Sequence, residues 1–160
     1  MDVDGVLTDG TVWIDAAGRE SKRISFADIM GVSLGRRAGL VFALISGEDG
    51  AVFDVIAAKL GISDTYPGCK DKAAALQDFA AKHQLDLDEI CFVGDDVNDV
   101  AALGICGLAV VPADAHPSAV AKAALVTTRP GGSGSVREVL DRILAGISPD
   151  AVDANPDRQQ

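Results

Sequence analysis

The chain opens with Met1-Asp2-Val3-Asp4-Gly5-Val6-Leu7-Thr8-Asp9-Gly10, a turn rich in small residues that places two carboxylates one residue apart. In this arrangement Asp2 can attack a phosphorus atom, and Asp4 is close enough to handle the proton of the leaving group. A divalent cation is then needed to offset the repulsion between two acids and a phosphate. An aspartate pair that only caps a turn is the weaker alternative, because further acids follow downstream. The stretch therefore predicts phosphoryl transfer to Asp2, with Asp4 as acid and base.

The second acidic motif is Gly94-Asp95-Asp96-Val97-Asn98-Asp99. It follows an apolar run, 90–93, that predicts a buried strand, so Asp95 should emerge at the strand end that faces Asp2. Carboxylates at this density, together with phosphate and water, suit Mg²⁺ rather than zinc or copper. We predict Asp95 as the main metal ligand, with Asp96 and Asp99 in support. For Asp99 a second interpretation, a helix N-terminal acid favoured by the helix dipole, is equally open.

Candidate phosphate-binding residues follow another apolar run. Ser46 and Gly47 end the predicted strand 41–45, where a hydroxyl and a backbone N–H would face the crevice at the carboxyl ends of the strands. An ordinary Ser-Gly turn is the alternative. Lys70 and Lys72 lie near a predicted helix start. One of them could neutralise phosphate charge, and at least one should be an ordinary solvated lysine.

Composition limits the class of protein. The chain has 160 residues, 48% of them hydrophobic, and a formal net charge of −10, which supports one core and disfavours nucleic-acid or anionic-membrane partners. Cys69, Cys91 and Cys106 have no C-x-x-C spacing, so we predict neither a disulfide framework nor a zinc site. Because no signal peptide and no bilayer-spanning run is evident, we expect a cytoplasmic protein without a membrane partner.

Short β-rich apolar runs alternate with Ala-rich helical stretches, which predicts an α/β, Rossmann-like parallel sheet with helices on both faces. The predicted strands are 41–45, 90–93, 108–111 and 125–127. The predicted helices are 49–60, 71–83, 97–103, 117–122 and 135–144.

One segment breaks this alternation. The extended runs 11–14 and 20–26 predict a β-hairpin flap, over about residues 11–26, inserted directly after the first acidic turn. The chain leaves no room for a cap domain, so we expect a symmetric neighbour to cover the site. We assign 1–147 to one domain and expect 148–160, which has two prolines and no periodicity, to be disordered.

The position of Asp2 is unusual. A nucleophile at the end of a central parallel strand should follow about five apolar residues, yet only Met1 precedes it here. We expect that a first strand belongs before Met1 and is missing from the chain as given. The alternative is that this strand is truly absent and the site is impaired.

Two later segments carry weaker signals. In 113–117, His116 stands just before a predicted helix, where a lone histidine is more often structural than catalytic. The glycine-rich loop 129–134 contains one cation, Arg129. Contact with an anionic substrate and a plain linker into the last helix are equally open for this loop.

In this order, the motifs resemble those of the haloacid dehalogenase superfamily, and in particular its capless branch typified by phosphatases of 3-deoxy-D-manno-octulosonate 8-phosphate. The resemblance is carried by 2–10, the hairpin up to Asp28, 44–47, 94–99, 113–117 and 131–138. It implies a Mg²⁺-dependent phosphatase that hydrolyses a small phosphorylated sugar or sugar acid through an aspartyl phosphate. It also implies a homotetramer in which the hairpin and a neighbour's C-terminal segment close the site.

The resemblance further implies particular residue roles. Mg²⁺ would be held by Asp2, the backbone carbonyl of Asp4, and Asp95. Lys72 rather than Lys70 would bind the phosphate, and Ser46 matches a Thr or Ser of the family.

This chain departs from the family pattern at three places where the family's residues are expected to lie near the substrate. Where the family has Thr-Gly-Arg, this chain has Ser46-Gly47-Glu48, and where the family has a basic residue followed by Asp-Gly, it has Ala27-Asp28-Ile29. The family's Gly-Gly-Arg-Gly is replaced by Gly131-Gly132-Ser133-Gly134. Each change removes a cation or a flexible backbone near the expected position of a sugar-acid carboxylate, and Glu48 would repel that group. The phosphatase machinery is therefore better supported than the octulosonate substrate.

Two alternatives stay open at this point. One is a phosphatase for another phosphorylated metabolite. The other is a catalytically weakened oligomerisation or binding module that keeps the fold. A phosphoaspartate receiver domain does not fit, because its acceptor should follow an internal strand after an acidic pair, unlike the opening from Asp2 to Gly5.

Overall fold

Residues 1–146 are described by the computed structural model. The strands are β1 Trp13–Ile14, β2 Glu20–Ser21, β3 Ala43–Ile45, β4 Asp64–Tyr66, β5 Cys91–Val93, β6 Leu108–Val111 and β7 Leu125–Val126. The α-helices are α1 Phe26–Arg37, α2 Ala51–Leu60, α3 Lys72–His83, α4 Val100–Leu103, α5 Pro117–Val120 and α6 Ser135–Gly146, and 3-10 turns span Leu87–Glu89 and Val97–Asp99. The predicted α/β class is confirmed. The predicted tail 148–160 and the domain limit at 147 lie outside the described residues.

The main sheet is parallel and is built in two halves. β3 pairs with β4, and β6 pairs with both β5 and β7. Met1 and Asp2 lie between the halves: the Met1 ammonium donates to the carbonyl of Ala43 at 2.9 Å, and the Asp2 N–H donates to the carbonyl of Val93 at 2.9 Å. The first two residues thus connect β3 to β5 at the carboxyl edge of the sheet.

Helices cover both faces of this sheet, as predicted. On one face, α1, α2 and α6 pack on a core that includes Val6, Leu44, Val93, Val110 and Val136. On the other face, α3, α4 and α5 cover a core that includes Ala43, Ile45, Leu76, Phe92 and Val111. The side chains of β3, β5 and β6 alternate between the two cores, so both faces of these strands are apolar and each strand is a continuous apolar run.

The structure adds a helix that the sequence pattern missed. We predicted an extended run as far as Phe26, but β2 ends at Ser21 and α1 starts at Phe26, where the Ser25 hydroxyl caps the helix by accepting the N–H of Ala27 at 3.1 Å. Gly31 and Gly35 lower the helix propensity of this segment. They are needed for packing, because a Cβ on Gly31 would lie 3.1 Å from the Cα of Arg137 in α6.

Strand β4, Asp64–Tyr66, was also missed. It is short, and its first residue is an aspartate, a type that is depleted in strands. The buried Asp64 carboxylate is paired with Lys82 and, at 3.0 Å, with the ring of His83, both on α3. Tertiary ion pairs therefore permit a residue that a local pattern disfavours.

The hairpin is present as predicted and pairs Trp13 with Ser21 and Ile14 with Glu20. Its apolar side chains point away from the core, since Trp13 is 74% exposed and Ile14 is 65% exposed. Phe26 at the start of α1 is 80% exposed. The hairpin and α1 therefore present aromatic surface to the surroundings of the chain.

The N-terminus of α6 is held by a residue far away in the sequence. The buried carboxylate of Asp28 accepts the N–H groups of Gly134 and Arg137 at 3.0 and 2.8 Å. The preceding loop is pressed on the first acidic turn, where the Gly132 N–H donates to the carbonyl of Val6 at 2.9 Å. A Cβ on Gly131 would lie 1.9 Å from the carbonyl oxygen of Gly5, so this close approach requires glycine.

No helix within residues 1–146 is long and apolar enough to cross a membrane. The thiols of Cys69, Cys91 and Cys106 are free.

Candidate active site

Asp2 lies at the carboxyl edge of the sheet, between β3 and β5, and is 4% exposed. One carboxylate oxygen, Oδ1, accepts the N–H of Val3 at 2.7 Å, and the other, Oδ2, is 2.7 Å from the Nζ of Lys72. Burial, followed by repulsion from Asp99, raises the pKa of Asp2, whereas Lys72 lowers it. The carboxylate is therefore fixed in direction and paired with one cation.

Lys72 connects the two acidic motifs. It starts α3, its side chain is fully buried, and its Nζ lies 2.6 Å from Oδ1 of Asp99 as well as 2.7 Å from Asp2. Burial acts to lower the pKa of Lys72, but the attraction of the two carboxylates outweighs it and the pKa is raised. Lys72 is thus a buried, charged point cation at the strand edge.

Asp99 organises the second motif. Its Oδ2 accepts the N–H groups of Asp95 and Asp96 at 2.9 and 3.2 Å, while Oδ1 is bound to Lys72. Both oxygens of this fully buried carboxylate are therefore engaged. A Cβ on Gly94 would lie 2.6 Å from the Cβ of Asp99, so the close packing of the turn against Asp99 requires glycine at position 94. Asp99 therefore holds both the loop and Lys72 in position. The sequence predicted only support of the metal site or a helix N-terminal acid, and neither prediction included the contact with Lys72.

Asp95 points toward the first acidic turn. A Cβ on Gly5, whose φ is +81°, would lie 2.0 Å from Oδ2 of Asp95. Burial, with repulsion from Asp2 and Asp99, raises the pKa of Asp95 to about 7. Its Oδ1 is buried and has no hydrogen-bond partner among residues 1–146. Such an atom requires a partner of positive charge or a donor.

These carboxylates fit a divalent metal. Oxygens of Asp2, Asp95 and Asp99 lie within 4.8 Å of one another. Hard oxygen donors at this separation, one of them buried and without a hydrogen-bond partner in the described part of the chain, match the preference of Mg²⁺. Both oxygens of Asp99 and both oxygens of Asp2 are bonded to protein groups, so among residues 1–146 the member of this cluster with an oxygen that no protein group binds is Asp95.

Asp4 lies outside this cluster and is paired with the hairpin. Its carboxylate is 2.9 Å from the Nζ of Lys22 and accepts the hydroxyl of Thr8 at 3.3 Å. The Lys22 side chain is only 11% exposed. Nearby, Arg23 lies 3.2 Å from Asp9, so two ion pairs connect the hairpin to the first acidic turn. Sequence reasoning missed Lys22; the signal was a basic residue directly after the second strand of the hairpin that follows the acidic turn.

Ser46 and Gly47 lie at the same edge as Asp95. Ser46 is 1% exposed, and its Oγ accepts the N–H of Glu48 at 3.1 Å, which is the bond of a Ser turn. A Cβ on Gly47 would be 3.4 Å from the side chain of Asn98 in the second motif. Lys70 is exposed and donates to the carbonyl of Gly47 at 2.9 Å, so of the two candidate lysines it is Lys72 that enters the acidic cluster.

Two other candidates have local structural bonds. Asp96 is exposed and caps the 3-10 turn by accepting the N–H of Val97 at 2.7 Å. His116 caps α5 through its Nδ1, which accepts the N–H of Ser118 at 3.2 Å. The backbone N–H of His116 donates to the carbonyl of Asp95 at 2.8 Å, so the backbone of the His116 segment is bonded to the second acidic motif.

The fold and the site together define a Rossmann-like α/β protein with a buried acid-lysine cluster at the carboxyl edge of its sheet. The family model described as haloacid dehalogenase-like hydrolase matches residues 41–140. This chain belongs to that family, as the motifs predicted.

Curated relatives with similar sequences are 3-deoxy-D-manno-octulosonate 8-phosphate phosphatases. The protein of Escherichia coli K12 is 35% identical over 144 residues, which cover 90% of this chain and 77% of the relative. The protein of Yersinia pestis is 36% identical over 143 residues, which cover 89% and 76%. The predicted enzyme class, phosphoric monoester hydrolase, is confirmed at the level of this family.

Solved structures with the same fold carry metals. The Moraxella catarrhalis enzyme of the same name, solved in complex with magnesium, phosphate and KDO, superposes with a TM-score of 0.88 at 34% identity and covers 91% of this chain and 83% of its own. A cobalt-bound form from Haemophilus influenzae gives 0.86 at 32% identity, with coverage of 94% and 85%. Divalent metal binding is thus a property of these neighbours.

Proposed function

We propose that this chain is a Mg²⁺-dependent phosphatase that hydrolyses a small phosphorylated sugar or sugar acid. The observation that carries the proposal is the pairing of a buried, oriented Asp2 with Lys72, next to an oxygen of Asp95 that has no hydrogen-bond partner within residues 1–146. The family and the names of the relatives support the same activity.

The residues of the chain account for each step. An oxygen of Asp2 attacks phosphorus, the bond from phosphorus to the sugar oxygen breaks, and Asp4 gives a proton to that oxygen. Water then attacks the aspartyl phosphate, Asp4 takes a proton from the water, and the carboxylate of Asp2 is released with inorganic phosphate. Lys72 stabilises the charge on the transferred oxygens, together with backbone N–H groups near Ser46 and Gly47.

The residues that would hold Mg²⁺ are Asp2, Asp95 and the backbone carbonyl of Asp4. A bound Mg²⁺ supplies Lewis-acid polarisation of the phosphate and offsets the charge of the clustered acids. Asp99 holds Lys72 and the N–H of Asp95, and so orients the donors without donating itself.

A turnover assay tests this assignment. Asp2→Asn is nearly isosteric but cannot attack phosphorus, so phosphate release in the presence of Mg²⁺ should disappear while the fold is retained. Asp9→Asn, which changes a partly exposed acid of the same turn, is the matched control and should keep most of the activity. Undiminished release by Asp2→Asn would remove the nucleophile assignment, and no release by the parent on any phosphate ester would favour the binding-module alternative.

The proposal also concerns the substrate. Octulosonate 8-phosphate is the substrate named for the relatives, but Glu48 and Ser133 stand where the resembling family carries arginines. Loss of a charge-assisted contact to a carboxylate costs about 1.5–3 kcal/mol, which corresponds to roughly tenfold to a hundredfold in kcat/KM. We therefore expect another sugar phosphate to be the better substrate.

A panel of phosphorylated sugars and sugar acids tests this point. Glu48→Arg combined with Ser133→Arg should raise kcat/KM on octulosonate 8-phosphate and leave a neutral sugar phosphate nearly unchanged. A preference of the parent protein for octulosonate 8-phosphate over the whole panel would contradict the argument from these two positions and leave the phosphatase assignment intact.

A further inference from the structure

The loop between β6 and α5, residues 112–116, is bonded to the second acidic motif. The N–H of His116 donates to the carbonyl of Asp95 at 2.8 Å. The same loop carries Asp114, a carboxylate that the proposed mechanism does not use. Its Oδ1 accepts the N–H of Gly131 at 2.9 Å. This loop therefore contacts both a proposed metal ligand and the glycine-rich loop before α6.

The glycine-rich loop in turn follows the backbone of the first acidic turn closely. Gly131 and Gly132 are buried, and a Cβ on Gly132 would lie 2.6 Å from the backbone nitrogen of Asp9. Gly131 approaches the carbonyl oxygen of Gly5 so closely that a side chain does not fit between them. A displacement of Gly131 would therefore be transmitted to Gly5, the residue beside which the carboxylate of Asp95 lies.

These contacts close on themselves and form a contact ring. The ring runs from the carboxylate of Asp95 to Gly5, then to Gly131 and Asp114, and through the N–H of His116 back to the carbonyl of Asp95. Asp114 supplies the one link of this ring that depends on a side chain outside the two acidic motifs. That link is favoured because the N–H of a buried residue is costly to leave without an acceptor.

We infer that Asp114 is a positioning residue for the metal site, because through Gly131 it holds the first acidic turn against Asp95. The inference rests on the proposed function, in which Asp2 and Asp95 come from different motifs and share one metal ion. Mg²⁺ requires near-ideal octahedral geometry, so a change in the separation of the two motifs weakens its binding. Asp114 acts through the backbone of the glycine-rich loop and contacts neither the metal nor the substrate.

The Mg²⁺ affinity of the full chain, measured by calorimetry with the metal alone, tests the inference. Asp114→Ala removes the acceptor of Gly131 and should weaken Mg²⁺ binding by about tenfold or more. Asp114→Asn keeps an oxygen acceptor and should bind Mg²⁺ within about threefold of the parent. Asp86→Ala, which changes an exposed acid before the amino end of β5, is the matched control and should bind Mg²⁺ as the parent does. Equal affinities of Asp114→Ala and Asp86→Ala would overturn the inference.

Hydrogen exchange in the metal-free protein tests the contact ring separately. The amides of Gly132 and His116 join the two loops to the two acidic motifs. In Asp114→Ala both should exchange about tenfold faster than in the parent, whereas Asp114→Asn and Asp86→Ala should keep the rates of the parent. Unchanged exchange of both amides in Asp114→Ala would overturn the ring.

Both measurements work without a substrate, so the two possible failures are distinguishable. A parent protein that binds Mg²⁺ and shows the expected differences, but releases phosphate from no ester, would contradict the proposed function alone. A parent protein that hydrolyses a sugar phosphate, with Mg²⁺ affinity unchanged in Asp114→Ala, would contradict this inference alone. A parent protein that binds no Mg²⁺ would overturn the inference together with the proposed metal site.

Discussion

At the scale of single residues, the site is an electrostatic arrangement around one buried lysine. Lys72 is charged because Asp2 and Asp99 both face it. Among residues 1–146 no cation forms an ion pair with Asp95, and its pKa of about 7 reflects burial among like charges. Asp95 is therefore the acid that most needs an external cation.

Metal affinity should depend on pH through Asp95. Because its pKa is raised from 3.8 to about 7, folding favours the protonated form, and the stability contributed by this group in the metal-free protein is lost as pH rises from about 4 to about 7. Mg²⁺ competes with this proton, so its affinity should rise up to about tenfold per pH unit below 7 and level off above it. Mg²⁺ titrations followed by thermal shift at pH 5.5, 6.5 and 8 measure this.

The matched variants for this prediction are Asp95→Asn and Asp96→Asn. Asp95→Asn should weaken Mg²⁺ binding and reduce its pH dependence between pH 6.5 and 8, whereas Asp2, whose pKa is raised to about 6, should still titrate in the lower part of the range. Asp96→Asn changes an exposed cap and should leave both nearly as in the parent. An unchanged pH dependence between pH 6.5 and 8 in Asp95→Asn would contradict the assignment of this titration to Asp95.

Lys22 should matter for turnover more than for substrate affinity. Its Nζ, 2.9 Å from Asp4, holds the carboxylate proposed as acid and base, and hydrogen bonds to charged groups contribute about 1.5–3 kcal/mol. Lys22→Met should lower kcat by roughly tenfold or more with a smaller change in KM, and Lys22→Arg should restore part of it. Steady-state kinetics on the best substrate of the panel measures the changes in kcat and in KM separately.

Arg23→Met is the control for Lys22, because the pair of Arg23 with Asp9 is more exposed and such pairs contribute about 0–1 kcal/mol. Its kcat should stay close to that of the parent. Equal effects of the two substitutions would mean that the hairpin acts as a whole and that the contact of Lys22 with Asp4 is not specific.

At the scale of elements, α6 and α1 depend on each other. Asp28 lies in α1 and satisfies two N–H groups at the N-terminus of α6, and Gly31 in α1 permits the close contact. The same contact presses the glycine loop on Gly5, the residue beside which Asp95 lies. A helix cap thus stabilises the geometry of the acidic turn.

Asp28→Ala should therefore destabilise the fold. Two backbone N–H groups, one of them buried, would lose their acceptor, and each unsatisfied group costs about 1–3 kcal/mol. We expect the free energy of unfolding in urea to fall by roughly 2–4 kcal/mol. Asp54→Ala, an exposed acid in the first turn of α2, should change it by less than about 0.5 kcal/mol. A loss no larger than that of Asp54→Ala would show that water replaces the carboxylate.

At the scale of the whole molecule, the hairpin and α1 leave an apolar surface that residues 1–146 do not cover. Its members are Trp13, Ile14, Phe26 and Met30, from 49% to 80% exposed. Surface of this kind favours association, and the open edge of the site next to the hairpin would be closed by the same contact.

We expect a homotetramer, measured by multi-angle light scattering at micromolar concentration. Trp13→Glu should shift the population to smaller species, because it buries a charge in the contact. Val126→Glu, on the edge strand β7 and 42% exposed, should leave the tetramer intact. A monomeric parent protein would contradict the prediction and favour the binding-module alternative.

Much of this organisation could be predicted from the sequence. The strands before Ser46 and Asp95 are short apolar runs, and parallel strands place their carboxyl ends at one edge, so the two acidic motifs were expected to meet. Helices α2 and α3 follow from their length and from the Asp71 cap of α3. These features are local patterns with a fixed geometric consequence.

Only the tertiary structure decided the remaining features. Lys22 reaches Asp4 across the hairpin, and Asp28 caps a helix that starts more than a hundred residues later. The glycines of α1 oppose its helical propensity, and they are explained by tertiary packing, of Gly31 against Arg137 of α6 and of Gly35 against the ring of Phe42. A sequence pattern records periodicity and residue type over about one turn or strand, whereas long-range pairing is selected by the burial and charge of the assembled chain.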